Sequence, residues 1–362
     1  MLRNKYKVRG ETSAMNTGAQ TIKWLYSEAL KVDREWSVLT TNGFRWWADK
    51  YAQTIEVIGE EEGPDGMTGY HISVRTDFLR ALELNDHSLK TINTLLMPFA
   101  SMAGPVYDPA TRALSLCSLF RVYEELGAWM NHFISDAALL QIGEVRIMSA
   151  EMAKLLYAEQ AISGHPQRGE RLEPDEMAEA ISAFFAPMGK QPCRWPVAEF
   201  KSAVEQYMQQ PPSLMATAGG MGFTVEFPYG DESSISSILR VKGDQPHPRY
   251  GNGLSCLQSF PIVGLSDYEG ARLALTLNGI DLSQKPTGYG LGSYYYRDNT
   301  IHFVSFFPNT LYAPGLLPNI YFASTERARE MSVRLTKCDW TPESFSPRRS
   351  ALGRMMDRLR RR

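Results

Sequence analysis

Residues 104–123 read GPVYDPATRALSLCSLFRVY, and residues 292–312 read GSYYYRDNTIHFVSFFPNTLY. Each stretch opens on a glycine and a tyrosine-bearing segment, turns at Asp108-Pro109 or Asp298-Asn299, and enters a run of strict alternation. Side chains of a strand point to opposite faces with period two. Leu114, Leu116, Ser118 and Phe120 therefore share one face of the first hairpin, and Ile301, Phe303, Ser305 and Phe307 one face of the second. L-x-L-x-S-x-F has returned as I-x-F-x-S-x-F.

The flanks repeat as well. Upstream of the first hairpin the spacing predicts an amphipathic helix over 21–31 and a strand-turn-strand around Asn42-Gly43; upstream of the second, a helix over 196–209 and a strand-turn-strand around Gly219-Gly220. Asn-Gly and Gly-Gly suit two-residue hairpin turns, whose central residues need positive φ. Aromatic and apolar residues then resume on alternate positions, Phe44 and Trp46 in one half and Phe223, Val225 and Phe227 in the other. A third strand (70–78; 254–263), a short helix (88–97; 267–277), the hairpin and a longer helix (128–142; 317–335) complete each unit. Corresponding elements lie about 175 to 190 residues apart, as in a duplicated unit.

The chain has 362 residues, enough for two cores. Its 43% hydrophobic and 22% charged residues are those of a soluble globular protein. A net charge of -2 argues against a general nucleic-acid binder. Cys117, Cys193, Cys256 and Cys338 are dispersed without a C-x-x-C pair, which suits free thiols in a reducing compartment. The N-terminus lacks the apolar core of a secretory signal, and the longest apolar run, 95–107, is too short to span a bilayer. A cytoplasmic location is expected.

Five segments follow: a flexible arm (1–20), a first α+β copy (21–147), a partly helical connector (148–195), a second copy (196–336) and a basic tail (337–362). Within the connector the periodicity predicts one helix over 149–161 with Ser149 as N-cap and another over 175–185 capped by Asp175. In the second copy Ser266-Asp267-Tyr268-Glu269 has capping-box spacing and Asn278-Gly279 a helix stop. The tail holds seven arginines between Arg348 and Arg362.

Motifs for chemistry are sparse. The six histidines show no metal-ligand spacing, so neither a metal nor a cofactor is expected. Gly288-Tyr289-Gly290-Leu291-Gly292 precedes a tyrosine-rich strand, opens no helix and lacks a following lysine, so it reads as a flexible connection, not a phosphate loop. No G-x-S-x-G elbow occurs. Aromatics are the richer signal: Trp46, Trp47 and Tyr51 in one copy, Tyr294, Tyr295, Tyr296, Phe306 and their neighbours in the other, load both faces of their strands. Either one sheet face stays open as an interaction surface, or both are covered, by helices and by the sister domain.

This order of elements resembles that of type III secretion chaperones and YbjN-like proteins, over roughly 21–147 and 196–336. The resemblance implies an antiparallel sheet with helices on one side that binds peptides, dimerises and does no catalysis. It carries over only to the hairpins 114–120 and 301–307. Secretion chaperones are short, acidic homodimers, whereas this chain is near neutral and holds two copies in tandem. The expected fold is therefore α+β: two tandem antiparallel-sheet domains, helices packed on one face, arranged as a monomeric pseudo-dimer. The expected function is a non-enzymatic chaperone or adaptor for another protein or peptide segment. Its partner-binding candidates are Trp46, Leu114, Leu116, Phe120, Ile301, Phe303 and Phe307, with Arg354 and Arg358 of the tail for an anionic partner. The rivals are an enzyme or small-ligand binder with its site in the inter-domain cleft near Arg121, Asp298 or His302, and a nucleic-acid-associated protein using the arginine tail.

Overall fold

A computed structural model describes residues 16–63, 66–124, 127–181, 194–200, 213–217, 220–228 and 236–336. Asn16 accepts a hydrogen bond from the Ala19 amide (2.8 Å) and starts helix α1 (Thr17–Trp24), which widens into a π turn through Ala29. Strands β1 (Ser37–Leu39), β2 (Gly43–Trp47), β3 (Ala52–Glu62) and β4 (Thr68–Arg80) form an antiparallel meander. Helix α2 (Asp86–Thr91), held by an Asn85–Ser88 capping box, continues as a π turn to Leu96 and ends in a short 3-10 turn at Pro98. The hairpin β5 (Gly104–Asp108) and β6 (Ala113–Val122) follows, and β6 returns to pair with β4. Helix α3 (Gly127–Leu155) lies across β4 and β6. Strand β7 (Glu159–Gln160) adds to the end of β4, and helix α4 (Glu176–Ala180) is capped by Asp175 as its sequence suggests.

The second half repeats this plan. Strands β8 (Ser213–Thr217), β9 (Gly220–Pro228), β10 (Ser236–His247) and β11 (Gly251–Pro261) form a meander. Helix α5 (Asp267–Asp281) precedes the hairpin β12 (Ser293–Arg297) and β13 (Thr300–Pro308), and helix α6 (Leu316–Thr336) closes the unit. The first sheet runs β1-β2-β3-β4-β6-β5 and the second β8-β9-β10-β11-β13-β12, one order in both. Register agrees with the sequence alignment. Leu114 pairs with Tyr107 and Ile301 with Tyr296; Phe120 pairs with Ile72 and Phe307 with Leu254. The fold is α+β with two antiparallel sheets.

Four expectations need correction. Each meander has four strands, not three. The third, β3 and β10, is disguised by register irregularities after Val57 and Lys242 and by the polar residues around them. The helix expected to start at Ser149 is the last two turns of α3: Ser149 is buried and bonded to the Tyr51 hydroxyl and to Gln160 Oε1 (3.3 Å), so it caps nothing. Gln141 and Glu144 make the apolar stripe look interrupted, yet both are buried with partners. Residues 158–175, expected in a connector, are stitched to the first sheet: β7 pairs with β4, Ile162 bridges Tyr51, and Asp175 N reaches Ala48 O (2.9 Å). Finally, α5 runs past Asn278-Gly279 because Asn278 is buried and employed elsewhere. Of the helix expected over 196–209, residues 197–200 are helical and the remainder lies outside the described residues.

Gly43 is needed for space, not for positive φ. A Cβ there would stand 2.0 Å from Ile55 O, and at Gly222, the matching place in β9, 2.6 Å from Val241 O. The Asp298-Asn299 turn does use positive φ at both residues (50° and 55°), the conformation short polar side chains tolerate.

The two sheets are joined edge to edge. Leu119 and Gly290 exchange two backbone hydrogen bonds (2.9 and 3.1 Å), and Ser101 does the same with Phe306 through its carbonyl (3.3 Å) and hydroxyl (2.8 Å). Gly104 packs so closely on the second unit that a Cβ would lie 2.4 Å from Gly292 O. Helix α5 rests on its own strand β12 and also on β5 of the first sheet. The outer edge of β12 is closed by two asparagines, one from each half. Asn278 accepts from Tyr294 N (2.7 Å) and donates to Tyr294 O (3.2 Å); Asn93 does likewise with Tyr296 (2.8 and 2.8 Å). One contiguous apolar core runs through both units. No helix among the described residues is long and apolar enough to cross a membrane.

Asn93→Ala should destabilise the whole chain by about 1–3 kcal/mol, since a buried donor and acceptor of Tyr296 lose their partners. Urea denaturation measures this; an unchanged midpoint would show that water replaces the amide without loss.

Candidate functional site

An apolar cavity of about 160 Å³ lies on the seam between the two units. Leu119, Trp129 and Phe133 contribute from the first, Leu291, Phe307 and Ile320 from the second. Strict alternation in β6 and β13 places Phe120 and Phe307 on the inner faces, and the first turns of α3 and α6 close the sides. Trp129 is fixed by a hydrogen bond from Nε1 to Pro314 O (3.0 Å), and Phe133 meets Phe307 edge-on at 6.4 Å.

Arg121 also lines this cavity and ties the halves together electrostatically. Its Nη1 reaches Glu326 Oε2 (2.7 Å) on α6, Nη2 donates to Pro286 O (2.7 Å), and Nε lies 3.0 Å from Glu61 Oε1. Glu61 also accepts a hydrogen bond from the Tyr123 hydroxyl (2.8 Å) and stands 3.2 Å from His71 Nε2. Burial alone would raise the Glu61 pKa, but the Tyr123 hydrogen bond and the Arg121 charge outweigh it and hold the carboxyl below its ordinary value. These groups are engaged with one another, which suits clamping more than proton transfer.

A second crossing is deeper. Glu144 of α3, almost wholly buried, accepts the Tyr250 hydroxyl and faces Arg249 Nη2 at 3.4 Å. Arg249 also donates to Phe99 O, and His247 Nε2 sits 3.1 Å from the same carbonyl. His247 stacks on Tyr250 at 4.7 Å and lies tilted against Phe306 at 4.6 Å. Burial, reinforced by Arg249, drives its pKa down to about 3, so it stays neutral. Burial raises the Glu144 pKa, with Arg249 and Tyr250 pulling the other way.

The partner-binding candidates are placed otherwise than expected. Trp46, Leu114, Leu116, Phe120, Ile301, Phe303 and Phe307 are each at most 1% exposed. They form core under the helices, and Trp46 Nε1 donates to buried Gln53 Oε1 (3.0 Å). Only Phe120 and Phe307 reach the seam cavity. Alternating apolar residues look the same in sequence whether helices or a partner cover them. Arg354 and Arg358 lie outside the described residues. The cleft candidates do not converge: Arg121 is at the seam, Asp298 sits exposed in the hairpin turn, and His302 lies on the face of β13 away from the helices. The glycine-rich run 288–292 is no loose connection, since Gly290 is bonded into the seam.

Among the described residues no group of three His, Cys, Asp or Glu side chains could hold a metal ion. Cys117 and Cys256 are free and buried, and burial pushes the Cys117 thiol up to about 12. Comparison of the chain with protein-family models, with curated proteins and with solved structures found no match.

What the sequence reading missed is the face of each sheet away from the helices. On the first sheet it is charged: Arg45 pairs with Asp77 at 2.7 Å, with Glu56 and Arg75 on the same face. On the second it is partly apolar, with Tyr295 stacked on His302 at 4.8 Å. Burial lowers the His302 pKa to about 4.

Burial also raises Asp136, three residues on from Phe133 in α3, to about 7. A folded pKa above the unfolded one favours the protonated form. Its stabilisation is complete below pH 4 and lost as pH rises through 7. Asp136→Asn should therefore match wild type in urea midpoint at pH 4 and exceed it at pH 8. The gain expected is on the order of 2 kcal/mol, from about 1.4 kcal/mol per pH unit discounted for partial exposure. Equal effects at both pH values would rule out the ionisation as the cause.

Proposed function

We propose that the chain is a non-enzymatic chaperone or adaptor that binds another protein, working as a monomeric tandem pseudo-dimer in the cytoplasm. The observation that carries this reading is the apolar seam cavity, to which both halves contribute walls. Its volume is close to that of a designed cavity that takes up benzene, so it suits one apolar anchor side chain of a bound segment. Anchors of this kind, seated in desolvated pockets, dominate protein–protein affinity. Among the described residues, the charged groups around it are held in ion pairs and hydrogen bonds with one another. The element order, which resembles that of secretion chaperones and YbjN-like proteins, agrees with this role, and the tandem arrangement sets this chain apart.

Ala323 lines the cavity from α6. Ala323→Phe should fill it and reduce recovery of a captured partner at least tenfold, measured by quantitative mass spectrometry on affinity-purified wild type and variant. A partner recovered equally by both would remove the cavity from the interface. Failure of wild type to enrich any protein over a tag-only control would count against protein binding itself.

A further inference from the structure

The second sheet presents a surface that the seam does not use. Away from the helices, paired residues run across the strands in two rows. One row is Tyr295, His302, Ser259, Ile238 and Glu226; the next is Ser293, Val304, Leu257, Arg240 and Thr224. Lys242, two residues beyond Arg240 on β10, lies on the same face. Tyr295, Ile238, Val304 and Leu257 are half-buried, while Arg240 and Lys242 are exposed. The two cations have no ion-pair partner among the described residues. On the matching face of the first sheet Arg45 is paired with Asp77, and Glu56 balances Arg75; in the two rows of the second sheet Glu226 is the one acid.

From this geometry we infer that the helix-free face of the second sheet docks an acidic peptide segment, apolar side chains on Tyr295, Leu257 and Val304, carboxylates on Arg240 and Lys242. The inference rests on the protein-binding reading above and names the chemistry of the partner. Three observations select this occupant. The cations at the rim call for negative charge, and rim charges steer association and exclude partners of the wrong sign. The chain's own C-terminal segment, with seven arginines between 348 and 362, carries the same sign as Arg240 and Lys242 and so is not the complementary occupant. The outer edge of β12, beside Tyr295, is closed by Asn93 and Asn278, so an added strand has no backbone groups to pair with there. His302 remains neutral near neutral pH and offers a flat ring on Tyr295 in place of a third charge.

The test is fluorescence anisotropy with a labelled peptide of Leu-Leu-Glu-Glu repeats and a matching peptide of Leu-Leu-Lys-Lys repeats, on the full chain. Wild type should bind the acidic peptide, with affinity falling as salt is added. The double variant Arg240→Glu/Lys242→Glu should bind it at least tenfold more weakly and prefer the basic peptide. Both side chains are exposed, and an unchanged melting temperature shows that the variant is folded. Ala323→Phe, at the seam, should leave peptide binding unaltered. Equal binding of the acidic peptide by wild type and charge-reversed chain, or none by wild type, would overturn the inference. Oligothymidylate bound by wild type and lost in the double variant would overturn it too, assigning the face to nucleic acid. Should the peptide fail while a protein partner is still captured and lost on Ala323→Phe, this inference alone falls.

Discussion

Two asparagine side chains hold the outer edge of β12, and much of the architecture depends on that contact. An edge strand exposes unpaired amides and carbonyls, which cost free energy when buried and invite stray pairing when open. Here the amide of Asn278, from the helix of the same unit, satisfies Tyr294, and that of Asn93, from the other unit, satisfies Tyr296. The second sheet is therefore finished only when the first is in place. The backbone exchange at Leu119–Gly290 and the paired bonds of Ser101 with Phe306 act in the same sense, as does α5 resting on β5. Polar groups buried between units are costly when broken and so fix one arrangement against its neighbours.

The ionic crossings contribute differently. Arg121 with Glu61 and Glu326 sits where water still reaches part of the knot, so its contribution is orientation more than stability. Glu144 is dry, and leaving it without Tyr250 and Arg249 would strand a buried carboxylate. Around both lies the continuous apolar core that supplies the bulk of the stabilisation. The seam cavity is a gap in that core, lined by apolar side chains that an apolar group from outside can contact.

The hairpins were legible because period-two alternation and turn residues are local. Leu114 over Ile301 and Phe120 over Phe307 could be aligned from sequence alone, and the Ser266–Glu269 capping box forms as its spacing suggests. What could not be read was anything that depended on contacts between distant segments. Ser149 looks like a cap until Tyr51 is seen against it, and Asn278-Gly279 looks like a stop until Tyr294 is. Gly290 looks loose until Leu119 pairs with it. The same limit governed the site: Trp46, Phe303 and their neighbours were recognised as apolar face, but only the helices above them decide that they are core. Arg240 and Lys242 did carry a signal, since they alternate with buried Leu239 and Val241 along β10, in a strand that the irregularity after Lys242 concealed.

Interdependence of the two halves is tested most directly by hydrogen exchange with mass spectrometry along a urea titration of the intact chain. Protection in β4 and β6 of the first sheet and in β11 and β13 of the second should be lost in one transition with a common midpoint. Loss from one sheet at a urea concentration where the other keeps full protection would contradict it.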